Sequence, residues 1–471
     1  MTYRMRTLIG AALGLLLVAG LGAYAYLEAF VGEGREQRDA VLARLVFDLE
    51  PSEVRRLALE APGERAVVER SQGTDGPAWR LTEPVEAEAD GVEVEGVLSS
   101  LQLLDAVRRI PAGEAGSAES YGLAKPRLRW ELTLADGRRL ALRVGKLNPL
   151  GQLLYAQVEG ADEVLALPGR IESALERTVF DLRRKDLVRF EPDQVERLTL
   201  EGGEARLVLA RREGRWRLQA PVEDRADERA VGKVLQTLAA LRATGFPGAN
   251  LPDAALGLDR PAAKVRVEGA APGVRSEVWF GQGSLKSNAD RLFARCVDPP
   301  GPTIQVGLHV LPVFRRQVME LRDRRLLEFD PAAVSRIRAS SEGQIVVLER
   351  HARGVDGGWD LVAPVAAPAR RLRVQALLGA LGELEAEQVL APGSEGAHGL
   401  DAPLRTLALL DAQGGELASL RVGRTEGERV VVKGSARPEP CLVKPGALAA
   451  LAMEPAALRD DDGGGGGRPG D

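Results

Sequence analysis

The residues able to do chemistry are few, and none falls into a catalytic spacing. The three histidines, His309, His351 and His398, form no H-x-x-x-H or H-E-x-x-H, which argues against a metal site. The two cysteines, Cys296 and Cys441, lie far apart with no C-x-x-C, so thiol metal sites and a thioredoxin-like pair are not expected. They read as two buried free thiols, with a single long-range disulfide as the alternative. No G-x-S-x-G nucleophile elbow occurs, and no phosphate loop ends in Gly-Lys-Ser/Thr. The run Gly463–Gly467 lacks the strand-to-helix setting that cradles phosphate. Three recurring sets remain. Asp90 and Asp227 could be acids in a site, but they stand where a helix needs an N-cap. Arg56, Arg197 and Arg336 could grip an anionic polymer, but a solvated or salt-bridged strand face suits them better. Trp79, Trp216 and Trp359 could be ligand platforms, but each has a leucine two residues on, the phase of a core wedge. The expectation is no catalytic residue, no cofactor and no metal.

What these tryptophans do mark is a repeat. Trp79-Arg80-Leu81-Thr82-Glu83-Pro84 returns 137 residues later as Trp216-Arg217-Leu218-Gln219-Ala220-Pro221. It returns again, 143 residues on, as Trp359-Asp360-Leu361-Val362-Ala363-Pro364. The copies open on matching phrases: Leu49-Glu50-Pro51, Phe190-Glu191-Pro192 and Phe329-Asp330-Pro331. Each phrase runs into short alternating segments that predict strands, with W-x-L as the third and its Pro ending the ladder. A helix follows. Val94, Val97, Leu98, Leu101 and Leu104 fall at i, i+3, i+4, i+7 and i+10. Val231, Val234, Leu235, Leu238 and Leu241 keep that register, as do Val374, Leu377, Leu378, Leu381 and Leu384. One apolar stripe per helix must pack on a sheet.

After a polar loop comes Gly122-Leu123-Ala124-Lys125-Pro126, matched by Gly257-Leu258-Asp259-Arg260-Pro261 and Gly399-Leu400-Asp401-Ala402-Pro403. Here Gly suits a turn, Leu a plug, and Pro the entry to a strand. Leu128, Trp130, Leu132 and Leu134 alternate up to Asp136-Gly137, a hairpin turn, and Leu140, Leu142 and Val144 return to Gly145. Phe280-Gly281 and Val422-Gly423 are the equivalents. Further strands around Tyr155 and Leu165 and a helical segment at Arg170–Phe180, again near Leu311–Leu321, close the unit. A period this long exceeds that of a solenoid or propeller. The fold class expected is therefore α+β: three tandem repeats, each an antiparallel sheet with a packed amphipathic helix.

Composition agrees. A chain of 471 residues should hold about three domains at roughly 150 residues each. With 45% hydrophobic residues there is material for globular cores. A net charge of −5, with signs mixed, leaves no basic footprint for nucleic acid, and 4% aromatics supply few stacking platforms.

The segment 7–27 carries no charge and spans about 30 Å as a helix, the thickness of a bilayer core. Arg4 and Arg6 precede it and Glu28, Glu33 and Glu36 follow, which orients residues 1–6 to the cytoplasm and the bulk of the chain outside. Ala23-Tyr24-Ala25 resembles a signal-peptide cleavage site, but the apolar run is longer than a usual signal core, so an uncleaved anchor is favoured. The organisation expected is a transmembrane helix at 7–27, a linker at 28–45, repeats at 46–186, 187–326 and 327–459, and a disordered tail at 460–471. The junctions Leu182–Leu187 and Leu321–Leu327 are short and charged, so limited hinge freedom is expected.

Taken together, W-x-L-x-x-P, the Ala-Asp before the helix, G-L-x-x-P and Val-Gly resemble the bacterial family called domain of unknown function 4340, over about 46–460. The resemblance implies a membrane-anchored protein, and many members are similar in context to components encoded beside gliding-type ABC transporters. It implies an extracytoplasmic partner of a transporter complex and brings no agreed catalytic residues. The third copy departs from the pattern, with Pro368-Ala369-Arg370 in place of Ala-Asp. The expected function is a non-enzymatic scaffold at the bacterial cytoplasmic membrane, accessory to an ABC-type transport or gliding-type complex, with protein partners. The alternatives are an extracytoplasmic binding module for envelope polysaccharide or lipid, and an enzyme with an inter-domain carboxylate site.

Overall fold

The structure, a computed structural model, describes residues 45–73, 76–248, 251–271, 274–283, 291–341, 343–351, 358–449, 451 and 453–460. The expected membrane span 7–27, the residues before it, the linker up to 44 and the tail from 461 lie outside the described residues. Among the described residues, no helix is long and apolar enough to cross a membrane. The chain gathers into two compact units. One takes everything up to Asp186 together with Arg242–Phe246; the other takes Leu187–Leu241 and everything from Pro247.

The first unit carries one antiparallel sheet. Its strands are β1 (Val54–Ala61), β2 (Glu64–Gly73), β3 (Gly76–Glu83), β4 (Ala87–Glu88), β5 (Arg108–Ile110), β6 (Leu128–Leu134), β7 (Arg139–Leu147), β8 (Leu153–Val158) and β9 (Val164–Pro168). They lie in the order β4-β3-β2-β1-β6-β7-β8-β9-β5. Strand β6 shows why they form: its burial alternates strictly, with Leu128, Trp130, Leu132 and Leu134 inward. Gly137 then turns the chain at φ +85°, and the Asp136 carboxylate takes the Arg138 N–H at 2.9 Å. The helix α1 (Gly91–Gln102) buries Val94, Val97, Leu98 and Leu101 in one core with Trp79, Leu81 and Trp130.

The second unit carries two sheets. The first has eight strands, β10 (Val195–Glu201), β11 (Leu207–Arg212), β12 (Arg215–Ala220), β13 (Asp224–Arg225), β14 (Ala263–Gly269), β15 (Arg275–Gln282), β16 (Leu292–Asp298) and β17 (Pro300–Val306). Their order is β13-β12-β11-β10-β14-β15-β16-β17, and the helix beside them is α2 (Glu228–Ala239). The second has β18 (Arg336–Ser341), β19 (Gln344–Arg350), β20 (Trp359–Ala363), β21 (Ala367–Ala369), β22 (Gln388–Val389), β23 (Arg405–Leu410), β24 (Glu416–Glu426), β25 (Arg429–Gly434) and β26 (Cys441–Val443), with helix α3 (Arg371–Gly382). Its order, β21-β20-β19-β18-β23-β24-β25-β26-β22, repeats that of the first unit strand for strand. The fold class is α+β, with three antiparallel sheets.

The closing segment is helical in three short pieces. It is a 3-10 turn at Gly169–Ile171, a turn of helix at Glu172–Leu175 and another at Val179–Leu182. Thr178 restarts the chain by exchanging hydrogen bonds with Asp181, a capping box that ends one turn and begins the next. Gln317 and Glu320 do the same before Val318–Leu321.

Candidate functional site

The same backbone connections recur around each helix. The last turn of each copy accepts the N–H of the residue before the helix: Asp90 to Leu182, Asp227 to Leu321 and Arg370 to Leu458, at 2.8, 2.9 and 2.8 Å. The next residue then bridges the strand extension, Ala89 to Arg183, Ala226 to Arg322 and Ala369 to Arg459. Arg325 bridges Glu385, just past α3. The junction at Leu321–Leu327 is therefore held at both ends by backbone hydrogen bonds.

This junction is where the second unit buries its charge. Asp224, Asp323 and Arg437 are 8%, 4% and 3% exposed. Asp224 sits on β13, Asp323 in the junction, and Arg437 in the turn after β25. The Asp224 carboxylate accepts from Arg322 Nε at 2.7 Å and Nη2 at 2.5 Å, and from Arg437 Nη2. Arg437 Nη1 donates to the Asp323 carbonyl, which ties the turn after β25 in the third copy to the junction, as its bond to Asp224 ties it to the second copy. The Asp323 carboxylate accepts from Arg325 Nε at 3.0 Å, Nη2 at 3.1 Å and the backbone N–H at 3.1 Å, with Arg225 Nη2 at 3.3 Å. Burial alone would push the Asp224 carboxyl up, but hydrogen bonds from Arg322 and the charge of Arg437 outweigh it and hold the group below the usual carboxylate range. Asp323 is held down in the same way by Arg325 and Arg225. Both acids are thus ionised and saturated by guanidinium groups, which do not release protons. The cluster has no proton to transfer; it can clamp, and that is what its geometry does.

In the first unit the counterpart of Arg322 is Arg183, whose guanidinium lies 3.6 Å over the Phe246 ring, itself packed on Phe180 at 5.8 Å. Arg184 pairs with Glu88 at 2.6 Å, and Arg242 reaches Asp90 and Asp186, each at 3.4 Å.

The signature residues take structural places. Trp79, Trp216 and Trp359 are 5%, 3% and 3% exposed, with Leu81, Leu218 and Leu361 buried beside them. Pro84, Pro221 and Pro364 follow the last residues of β3, β12 and β20 and are joined to them by cis peptides. Gly122, Gly257 and Gly399 are left-handed, at φ +73°, +69° and +72°. Leu123, Leu258 and Leu400 are buried plugs, and β6, β14 and β23 begin two residues after Pro126, Pro261 and Pro403. Asp90 caps α1 through the Glu93 N–H, and Asp227 caps α2 through the Arg229 and Ala230 N–H groups. Arg370 gives α3 no side-chain cap. Arg56 and Arg336 pair across the strands with Glu69 and Glu349 at 3.3 and 2.7 Å, and Arg197 lies 3.9 Å from Glu268. Cys296 and Cys441 are free and buried, and burial pushes the Cys441 thiol up to about 11. His351 and His398 lie 2.8 and 2.5 Å from Asp360 and Glu426. Among the described residues, no three His, Cys, Asp or Glu side chains are grouped to hold a metal.

Two sets escaped the sequence reading. Arg70, Arg211 and Arg350 stand opposite the three tryptophans, 4.5, 5.5 and 5.0 Å from the ring centroids. Each also donates to backbone carbonyls at or just after the opening phrase of its copy: Arg70 to Val54 and Pro51, Arg211 to Asp193, Arg350 to Ala332 and Pro331. They precede their tryptophans by 9, 5 and 9 residues, so the shorter hairpin of the second copy breaks the spacing that the other two share. Asp224 and Arg437 are 213 residues apart. The one available signal was Asp224 itself, an acid where the other copies have Ala87 and Ala367.

The family model described as Domain of unknown function (DUF4340) matches residues 79–261 and 216–356, two overlapping stretches that each begin at a signature tryptophan. No curated protein and no solved structure matches the chain.

Proposed function

This chain belongs to the family of domain of unknown function 4340, and from that premise we propose that it is a non-enzymatic, membrane-anchored extracytoplasmic scaffold, accessory to an ABC-type transport or gliding-type complex. One observation carries the reading: the most buried charged cluster, Asp224 with Arg322 and Arg437, is spent on cohesion between copies. The repeated arginine–tryptophan pairs are likewise cohesive, each clamping the start of its own copy. Membrane attachment rests on the uncharged run 7–27 and its flanking charges. The transporter context rests on the family resemblance. In this reading the copies present sheet edges and helix faces to protein partners.

The test is crosslinking in cells, detergent extraction, and mass spectrometry of what co-purifies through a C-terminal tag. The scaffold reading expects a transporter permease or ATPase, lost on deleting 7–27 or any one copy. Retention of the exported part on cell-wall or lipid material, with no transporter subunit recovered, contradicts it.

A further inference from the structure

The three copies differ in how they fill the space between the sheet and the closing segment. Cross-strand pairing sets Ala66, Leu59, Trp130 and Leu142 side by side in the first sheet. The equivalent row in the second sheet is Leu207, Leu200, Val265 and Val278. In the third it is Val346, Ala339, Leu407 and Leu420. One row along, Leu128 faces Val144, Ala263 faces Phe280, and Arg405 faces Val422.

The first copy fills this space with Trp130, fully buried, whose Nε1–H donates to the Leu175 carbonyl at 3.0 Å. The second fills it with Phe280 stacked on Phe314, centroids 4.5 Å apart. The third has Leu407 and Val422 at the corresponding places, and Ala339 where the others have leucine. A cavity of about 290 Å³ remains. Its lining mixes apolar side chains, Val346, Leu407, Leu420, Leu448 and Leu451 among them, with polar groups in about equal measure. A close-packed core does not leave such a space idle: its lining forfeits contacts on one side. An apolar cavity of about 150 Å³ already admits benzene, and ligand pockets begin at about 300 Å³.

One end of the cavity is polar, and the sheet register builds it. Ser341 pairs with Gln344 on one side and Arg405 on the other, and all three line the cavity. Arg405 is exposed, and its guanidinium makes no hydrogen bond or ion pair among the described residues. Glu454, the acid of the lining, belongs to the closing segment rather than to this row. Arg405 is the one cation of this lining; beside a hydroxyl and an amide, and one row from Ala339, Val346 and Leu407, it matches a carboxylate on an alkyl chain.

We propose that the third copy binds a medium-chain fatty acid, with its alkyl chain in the space that an aromatic side chain fills in the other copies and its carboxylate on Arg405. This site is independent of the scaffold reading: it needs neither a transporter nor the membrane helix.

The test uses the full chain in nanodiscs and a photoreactive ten-carbon fatty acid, with labelled peptides mapped by mass spectrometry. Label is expected on peptides spanning 339–346, 405–422 and 445–455, displaced by decanoate at least tenfold more effectively than by decanol. Leu407→Trp, which installs the first copy's residue, should cut labelling at least tenfold while thermal unfolding shows the copy still folded. Ala339→Leu is the second filling variant should the tryptophan fail to fold. Arg405→Gln should keep the label but abolish the preference for decanoate over decanol. Labelling that is absent from these peptides, unchanged in both filling variants, or displaced equally by the acid and the alcohol in the unaltered protein overturns the proposal.

Discussion

At Asp224 the chain buries a carboxylate in a strand position where its sister copies half-bury alanine, and Arg322 and Arg437 close around it. Asp224→Ala leaves the buried Arg437 guanidinium with Glu439, 3.6 Å from its Nε, as its remaining counter-charge, and breaking a buried pair from one side costs up to about 3–5 kcal/mol. Urea unfolding should register that loss in the second unit. The double variant Asp224→Ala, Arg437→Met should recover part of it, because one of the two orphaned guanidinium groups is gone while Arg322 keeps its charge. The sign of the pH dependence follows from the lowered carboxyls of Asp224 and Asp323. Their contribution is present above the ordinary aspartate value of about 3.9 and is lost as pH falls through the lower folded values. Acid titration by circular dichroism should show the second unit weakening below about pH 4, less steeply in the double variant. The buried thiols give a separate check. With Cys441 pushed up to about 11, neither it nor Cys296 should take iodoacetamide at about pH 8 in the folded protein, and both should react in urea.

Among the described elements, the helices α1, α2 and α3 share one buried stripe and differ at their N-termini. Asp90 and Asp227 cap α1 and α2, whereas α3 opens on Arg370, Arg371 and Arg373 against its own dipole. Asp227→Ala should cost about 1 kcal/mol, and Arg370→Asp should stabilise the third copy by a similar amount; denaturant midpoints measure both. The stripes and the caps were legible because they depend on spacing along a single element, as in Val94, Val97, Leu98 and Leu101. The strands of the Trp130 hairpin were legible for the same reason, through period-two alternation and Asp136-Gly137. What stayed hidden depends on pairing between elements. Strands β5 and β22 are only three and two residues long, too short to show a period. Arg70, Arg211 and Arg350 meet their tryptophans across a ladder, at separations set by hairpin length. The Asp224–Arg437 contact, 213 residues long, is invisible to any local pattern.

For the whole molecule, the scaffold reading requires that copies behave as a frame rather than as separately opening beads. The second unit makes this testable, since two sheets and the Asp224–Asp323–Arg437 clamp lie within it. Removing the clamp should loosen one copy from the other without dissolving either core, because the core clusters keep their own leucines, valines and tryptophans. Native-state hydrogen exchange followed by mass spectrometry at increasing denaturant reads this most directly, since it assigns an opening free energy to each peptide. The account predicts that peptides from α2 with β10–β12 and from α3 with β18–β20 converge on one opening reaction. In Asp224→Ala they should separate into two. Separate opening of the two copies in the unaltered protein would contradict it.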